Sequence, residues 1–169
     1  MNKEDADLAL FTFADVADEL ELDWFLFAGT CLGLHRDGKY LPGDNDLDVG
    51  VLAEPQDLAE LWDTLNRKGF SLGQFNRNRD GTQNRHVYHG INGSWPKADD
   101  PEVMVDVWFT FTDDEHNLLV NFGQITYEDR SFLVPYPVGV YLQLAYEEWW
   151  DKDDRRSAIG KENVLHAIA

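Results

Sequence analysis

Cysteine is almost absent from the sequence, with Cys31 the only one among 169 residues. A lone cysteine cannot form an intrachain disulfide, and a thiolate zinc site needs several Cys or His ligands at characteristic spacings. We therefore expect neither cysteine redox chemistry nor a structural zinc site.

Basic residues are also scarce, because 14 Lys and Arg stand against 32 Asp and Glu and give a formal net charge of −18. A surface this acidic repels polyanions. We therefore expect no nucleic-acid partner and no nonspecific binding to an anionic membrane.

Long apolar segments are missing as well. No run approaches the roughly 20 residues that span a bilayer, and the first residues, 1–5, are too acidic to open a signal peptide. We expect no membrane insertion and a cytoplasmic location.

The composition is that of a globular protein. Apolar residues make up 43% of the chain and aromatic residues 13%, which excludes disorder caused by low hydrophobicity. No repeat or Pro/Gly/Ser-rich linker divides the sequence, so we predict a single domain over residues 1–169. The pattern does not indicate an oligomeric state.

Hydrophobic periodicity predicts an α+β fold, a mixed β-sheet flanked by helices. The predicted helices run from Lys3 to Glu21, from Cys31 to Arg36 and from Gln56 to Lys68, with a further helical stripe from Val138 to Trp149. The predicted strands are Trp24–Ala28, Leu47–Leu52, Phe70–Phe75, Asn84–His89, Glu102–Thr112 and Asn117–Phe122.

Two acids open the second predicted strand. The two-residue period of a strand sends Asp46 and Asp48 to one face, roughly 7 Å apart along the chain. Two carboxylates at so short a distance repel each other, and a divalent cation bound between them converts that repulsion into binding energy. The alternative is an acidic loop followed by an exposed edge strand.

A third acid, Asp106, interrupts an apolar strand. The segment from Val103 to Phe109 is typical of a strand buried on both faces, where an unpaired carboxylate costs several kcal/mol. Asp106 therefore needs a partner, which is either an Arg or backbone amide or the same metal as Asp46 and Asp48. In the second case, three convergent carboxylates form a two-metal phosphoryl-transfer site.

Gly29-Thr30 lies at a predicted strand-to-helix turn. Free backbone amides and the helix dipole favour a phosphate at such a turn, and glycine lets it approach closely. The alternative is an ordinary turn without a ligand.

These features together resemble the LicD/fukutin phosphotransferase family of the nucleotidyltransferase superfamily. The run from Gly29 to Arg36, then Pro42, then Asp44-Asn45-Asp46-Leu47-Asp48 is similar to that family's GTLLGxxR…P.DDDID signature. The lone Asp106 is similar to its later hydrophobic-Asp-hydrophobic-Phe motif, and the segment from Val134-Pro135 through Tyr146-Glu147-Glu148-Trp149 is similar to its closing helix. Asn45 replaces an acid, Glu147 replaces a usual Gly, and the chain is short for the family.

The resemblance implies a nucleotidyltransferase-like fold and a specific reaction. A phosphorylated alcohol, such as phosphocholine or ribitol phosphate, would pass from a CDP-linked donor to a sugar hydroxyl on a glycan acceptor. Asp46 and Asp48 would bind two Mg²⁺ or Mn²⁺ ions, with Asp106 as ligand or base. Gly29 and Thr30 would hold phosphate, and Arg36 would either reach the diphosphate or pair with a surface acid.

Two other functions fit the same residues. An NTP-using nucleotidyltransferase, acting on a small molecule or protein, differs in its leaving group. A non-catalytic binding scaffold is the second, although a scaffold has no physical need for three mutually repelling acids.

Further polar residues have weaker interpretations. A loop carrying Arg77, Arg79 and Arg85 either reaches over an anionic donor or is simply solvated. His86 and His89 differ in strand parity and make a poor ligand pair, so we interpret both as structural or surface residues.

Overall fold

The fold was obtained as a computed structural model that describes residues 1–54, 57–79, 81–90, 103–111, 119, 121–146 and 148–150. The predicted α+β class is confirmed: this part of the chain contains four helices, a mixed five-stranded sheet and a two-stranded sheet. None of its helices has the length and apolarity to cross a membrane.

The helices are α1 (Lys3–Glu19), α2 (Ala28–Asp37), α3 (Leu58–Arg67) and α4 (Val138–Ala145). The strands are β1 (Asp23–Leu26), β2 (Asp46–Leu52), β3 (Phe70–Arg77), β4 (Gln83–His89), β5 (Val103–Thr110), β6 (Phe122–Tyr127) and β7 (Arg130–Pro135).

The large sheet has the strand order β1-β2-β5-β4-β3. Its neighbours pair antiparallel except for β2 and β5, which are parallel. A parallel pair requires a crossover connection, and here α3, β3 and β4 lie between the two strands in sequence. Because β2 and β5 are adjacent inner strands, the two acidic segments of the sequence lie side by side.

One face of the sheet is apolar and packs on helices. Leu47, Val49 and Val51 of β2 are fully buried, as are Val105 and Val107 of β5, and α1 and α3 pack against the sheet and each other. These side chains alternate with the acids. Strand alternation therefore turns the acids to the opposite face.

Two helices, α2 and α3, are followed by glycines at their C-terminal ends. α2 ends at Gly38, whose φ of 64° is the left-handed conformation of a common helix C-cap. α3 ends before Gly69 (φ 97°), as the sequence predicts. Each glycine lets the chain reverse without the steric cost that a Cβ imposes there.

The strand prediction is wrong near residue 120. Leu119 and Asn121 are not in a strand, while residues 117, 118 and 120 lie outside the described residues. The chain instead forms the β6–β7 hairpin, whose turn residues Glu128 and Asp129 have φ of 45° and 62°. Such a turn normally carries Asn or Gly, so its sequence does not indicate a hairpin.

The last helix is shorter than predicted. α4 ends at Ala145 rather than Trp149, and the C-terminal residues 151–169 lie outside the described part of the chain. α4 packs on α2 and β7. It therefore lies beside the first turn of α2.

Candidate functional site

The three predicted acids converge on the two parallel strands. Asp48 of β2 is directly opposite Asp106 of β5 in the strand register, and Asp46 lies two residues before Asp48 on the same face. One carboxylate oxygen from each lies within 4.8 Å of the others. Register and alternation thus bring together acids that are far apart in sequence.

Burial makes this arrangement electrostatically costly. Asp48 is 3% exposed and Asp106 is 5% exposed, so neither charge is well hydrated. Like charges this close disfavour each other's ionised form, and a divalent cation relieves the repulsion. The donor set is entirely carboxylate oxygen, which suits Mg²⁺ or Mn²⁺ rather than a soft metal. The residues present therefore fit a divalent cation.

The first turn of α2 holds Asp48 in place. The backbone N–H of Gly29 donates to Oδ2 of Asp48 over 3.0 Å, and Oγ1 of Thr30 accepts from the backbone N–H of Asp48 over 2.7 Å. Thr30 is 2% exposed. Both predicted phosphate-binding residues thus lie directly against a predicted metal ligand and position it.

This turn is also held from the other side. Ala28 has a φ of 39°, a left-handed conformation that costs a non-glycine residue about 1 kcal/mol. Its backbone N–H donates to the hydroxyl of Tyr141 over 2.9 Å, and Tyr141 is buried in α4. The α4 helix therefore supports the backbone that positions Asp48.

Asp44 is a fourth acid of the site, and the sequence reasoning did not assign it a role. Burial raises the pKa of Asp44 to about 7, together with a hydrogen bond to Asp46 and the charges of Asp46 and Asp48. Asp44 also lies against the first turn of α2, since a Cβ atom added to Gly29 would be 2.8 Å from Oδ2 of Asp44. The signal was present, since Asp44 is the first acid of the Asp44–Asp48 run.

Tyr146 also belongs to the surroundings of the acids. Burial and the negative charges of Asp48, Asp44 and Asp46 raise the pKa of Tyr146 well above its ordinary value. The phenol therefore stays protonated beside the acids and can donate a hydrogen bond. The sequence quoted this residue as part of the closing motif without assigning it a role.

β4 contributes two polar side chains next to Asp106. His86 pairs with Asp106 in the register, and its Nε2 lies 3.9 Å from Oδ1 of Asp106. The Nδ2 of Asn84 donates to the same oxygen. The sequence reasoning interpreted His86 as structural or surface and did not consider Asn84. Only the strand register places either beside the acids.

Arg36 makes contacts within the protein. Its Nε and Nη2 donate to Oδ2 of Asp37 over 3.1 and 2.8 Å, and Nη1 donates to the carbonyl of Trp149 over 3.1 Å. The Arg36 side chain is 10% exposed and that of Asp37 is 7% exposed. Of the two alternatives for Arg36, these contacts favour pairing with an acid.

Of the three arginines of the predicted loop, Arg85 lies away from the acids. Arg85 pairs with Val107 in the register and therefore lies on the face opposite Asp106. Its guanidinium stands 5.3 Å from the ring centre of Trp62. Arg77 ends β3 and Arg79 lies in the following loop, whose next residue, 80, is outside the described residues. Arg85 thus contributes to the helix-covered face.

Residues 21–136 match the family described as LicD/FKTN/FKRP, nucleotidyltransferase domain. The matched region runs from just before β1 to just past β7 and contains the turn at Gly29 and all three clustered acids. No curated protein matches the chain.

Proposed function

The chain belongs to the LicD/FKTN/FKRP nucleotidyltransferase-domain family, and from this premise we propose that it moves a phosphorylated alcohol from a CDP-linked donor to a sugar hydroxyl on a glycan. Family membership indicates a transferase of the LicD kind. The donor, the acceptor and the metal dependence are our proposal. The observation that carries it is the convergence of Asp46, Asp48 and Asp106 within 4.8 Å.

The acids have defined roles in this reaction. Asp46 and Asp48 would hold Mg²⁺ or Mn²⁺, with Asp106 as a further ligand or as the base. When bound, two such ions neutralise the donor diphosphate and the charge that develops on the leaving phosphate. The all-oxygen donor set and the burial of Asp48 and Asp106 support this assignment.

The bond changes follow from the acceptor's chemistry. The sugar hydroxyl oxygen forms a bond to the phosphorus of the transferred group, and the phosphoanhydride bond to CMP breaks. CMP leaves with the bonding electron pair, and a site carboxylate accepts the hydroxyl proton. Positioning and electrostatic stabilisation supply most of the catalysis in phosphoryl transfer.

The turn at Gly29 is where we propose that the donor phosphates bind. In our proposal the N-terminus of α2 faces the donor phosphates because the helix dipole favours negative charge there, while the N–H groups of Ala28 and Gly29 donate to Tyr141 and Asp48. Gly29 and Thr30 fix Asp48 at the same turn. The metal ligand and the phosphate are thereby held by one piece of backbone.

Calorimetric titration with Mn²⁺ tests the proposal. CDP and, separately, ATP are titrated into the wild type and into the Asp46→Asn/Asp48→Asn double variant. A matched control, Asp23→Asn/Asp63→Asn, removes the same charge from two exposed positions. It separates loss of the site from the general effect of making the protein less acidic.

We expect CDP to bind only with Mn²⁺, to lose affinity in the Asp46/Asp48 variant and to keep it in the control. A preference for ATP would instead favour the NTP-using nucleotidyltransferase. If neither nucleotide binds in the presence of metal, the enzymatic proposal is wrong and the scaffold alternative replaces it.

A further inference from the structure

Asn84 contacts one of the clustered acids from a neighbouring strand. Its Nδ2 donates a hydrogen bond to Oδ1 of Asp106. Both residues are nearly inaccessible to solvent, with Asn84 4% exposed and Asp106 5% exposed. The register explains the contact, because Asn84 lies two residues from His86, the direct partner of Asp106. Strand alternation therefore puts its side chain on the acid face.

The burial of Asn84 is not explained by packing alone. Its Oδ1 is buried and makes no hydrogen bond in the described part of the chain. An amide buried with one polar atom unsatisfied is costly, and an apolar side chain of similar size would avoid that cost. Unlike a leucine side chain, the amide of Asn84 donates a hydrogen bond to Asp106 at this position.

That bond constrains the carboxylate of Asp106. A carboxylate on a β-strand can rotate about its two side-chain torsions, and an N–H donor on one oxygen selects one orientation. In the orientation seen here, one carboxylate oxygen of Asp106 lies within 4.8 Å of oxygens of Asp46 and Asp48. Groups that hold a metal-binding side chain in this way are worth about 10–100-fold in metal affinity.

The contact also differs from that of the neighbouring histidine. Nε2 of His86 stands 3.9 Å from Oδ1 of Asp106, beyond hydrogen-bonding distance, and lies 3.3 Å from Nδ2 of Asn76. Asn84 thus makes a direct hydrogen bond to Asp106 from this strand.

We propose that Asn84 is a positioning residue that orients Asp106 for divalent-cation binding. This inference rests on the proposed function, since it assigns Asp106 to the metal site. Asn84 acts through Asp106 and touches neither the donor nor the acceptor. As a neutral donor it fixes the carboxylate of Asp106 without adding a further negative charge to the site.

The test measures Mn²⁺ affinity directly, without a nucleotide and without an activity assay. Asn84→Leu keeps the volume and removes the donor, and Asn84→Ala removes the donor without adding bulk. Asn66→Leu is the control for loss of an amide donor elsewhere, because Nδ2 of the exposed Asn66 donates to the carbonyl of Phe70 over 3.1 Å. Thermal unfolding in EDTA shows whether each variant folds.

We expect both Asn84 variants to fold in EDTA and to bind Mn²⁺ about 10-fold more weakly or worse, while Asn66→Leu binds like the wild type. Unchanged Mn²⁺ affinity in the Asn84 variants overturns the inference, and so does failure of both to fold, since Asn84 would then serve the core. An equal loss in Asn66→Leu overturns it as well.

The same titration separates this inference from the proposed function. If the wild type and the Asp46→Asn/Asp48→Asn variant do not differ in Mn²⁺ binding, the metal site itself is absent and both are wrong. If the two differ but the Asn84 variants match the wild type, the metal site stands and only the role of Asn84 is wrong.

Discussion

The backbone N–H of Gly29 donates to the carboxylate of Asp48 over 3.0 Å, so the turn that opens α2 directly fixes the acid strand. The same residue leaves room for a second acid. A Cβ on Gly29 would stand 2.8 Å from Oδ2 of Asp44 and 3.3 Å from Oδ2 of Asp48. Glycine therefore lets both carboxylates approach the helix, and a Cβ here would displace them.

Gly29→Ala is expected to weaken Mn²⁺ binding while leaving the fold intact. The crowded atoms are the ends of side chains, which can move, and alanine in the first turn of a helix gains up to about 1 kcal/mol over glycine. The displaced carboxylates then no longer converge. Calorimetric titration with Mn²⁺ and thermal unfolding in EDTA measure the two effects separately.

Gly33→Ala supplies the contrast on the same helix. A Cβ on Gly33 would stand 2.7 Å from the carbonyl oxygen of Lys39 and 3.0 Å from the backbone nitrogen of Leu41, and backbone does not move cheaply. This variant should lower the melting temperature. If Gly29→Ala unfolds as easily as Gly33→Ala, the interpretation of Gly29 as a site residue is wrong.

Thr30→Val should destabilise the protein by about 1–3 kcal/mol. Oγ1 of Thr30 accepts the backbone N–H of Asp48 over 2.7 Å, and valine of nearly the same shape leaves that buried N–H without its acceptor. Urea denaturation of the wild type, Thr30→Val and Thr30→Ser measures the difference. Serine keeps the acceptor, so a loss in Thr30→Ser as large as in Thr30→Val would contradict this account.

The sequence predicts part of this site because strand alternation is a local rule. Asp46 and Asp48 share a face in any strand, and Asp106 stands out as the lone acid of an apolar segment. Their meeting depends on the parallel register of β2 and β5, which pairs Asp48 with Asp106. No local pattern encodes that register: the buried position of Asp106 left a metal shared with Asp46 and Asp48 as one of two alternatives, and the family resemblance favoured it.

The features that sequence reasoning missed have physical reasons. Asn84 is unremarkable in sequence because asparagine is common in loops and strand ends, and its contact with Asp106 requires the β4–β5 pairing. The β6–β7 hairpin turns at Glu128 and Asp129 with positive φ at both, where the favoured residues are Asn and Gly. A turn with atypical residues gives no local pattern to find.

Asp7→Asn tests a network that ties α1 to the rest of the fold. The Asp7 carboxylate accepts the hydroxyls of Tyr40 and Tyr127, each over 2.8 Å, and the Lys3 ammonium over 2.5 Å. Burial acts to raise the pKa of Asp7, but the hydrogen bonds from Lys3 and the two tyrosines outweigh it and lower the pKa overall. At pH 7 the substitution should cost about 2 kcal/mol.

That cost should depend on pH in a defined direction. Since the folded pKa of Asp7 lies below the unfolded value of about 3.9, its contribution is complete above that value and is lost as the pH falls through the folded pKa. The stability gap between wild type and Asp7→Asn should therefore shrink below about pH 4. Urea denaturation between pH 3 and pH 7 measures it.

Asp15→Asn is the matched control on the same helix. Asp15 accepts Nη2 of Arg130 over 2.7 Å, but its side chain is 68% exposed, and surface ion pairs contribute at most about 1 kcal/mol. A loss in Asp15→Asn equal to that in Asp7→Asn, or a gap for Asp7→Asn that stays constant down to pH 3, would contradict the role given to the network.

Asp46→Asn is expected to be more stable than the wild type without metal and less stable than the wild type when metal is added. Without metal, Asp46, Asp48 and Asp106 place three carboxylate oxygens within 4.8 Å of one another, so removing one charge should raise the free energy of unfolding by about 1 kcal/mol. Saturating Mn²⁺ at 100 times its Kd stabilises the wild type by about 2.7 kcal/mol. The variant binds the ion weakly and gains little of this stabilisation.

Urea denaturation at pH 8 in EDTA and in Mn²⁺ should therefore rank the wild type and Asp46→Asn in opposite orders of stability. Asp63→Asn, an exposed acid on α3, should keep one order in both buffers. A variant less stable than the wild type in EDTA would mean that the three acids repel too weakly to need a cation, and equal stabilisation of both proteins by Mn²⁺ would mean that Asp46 is not a ligand.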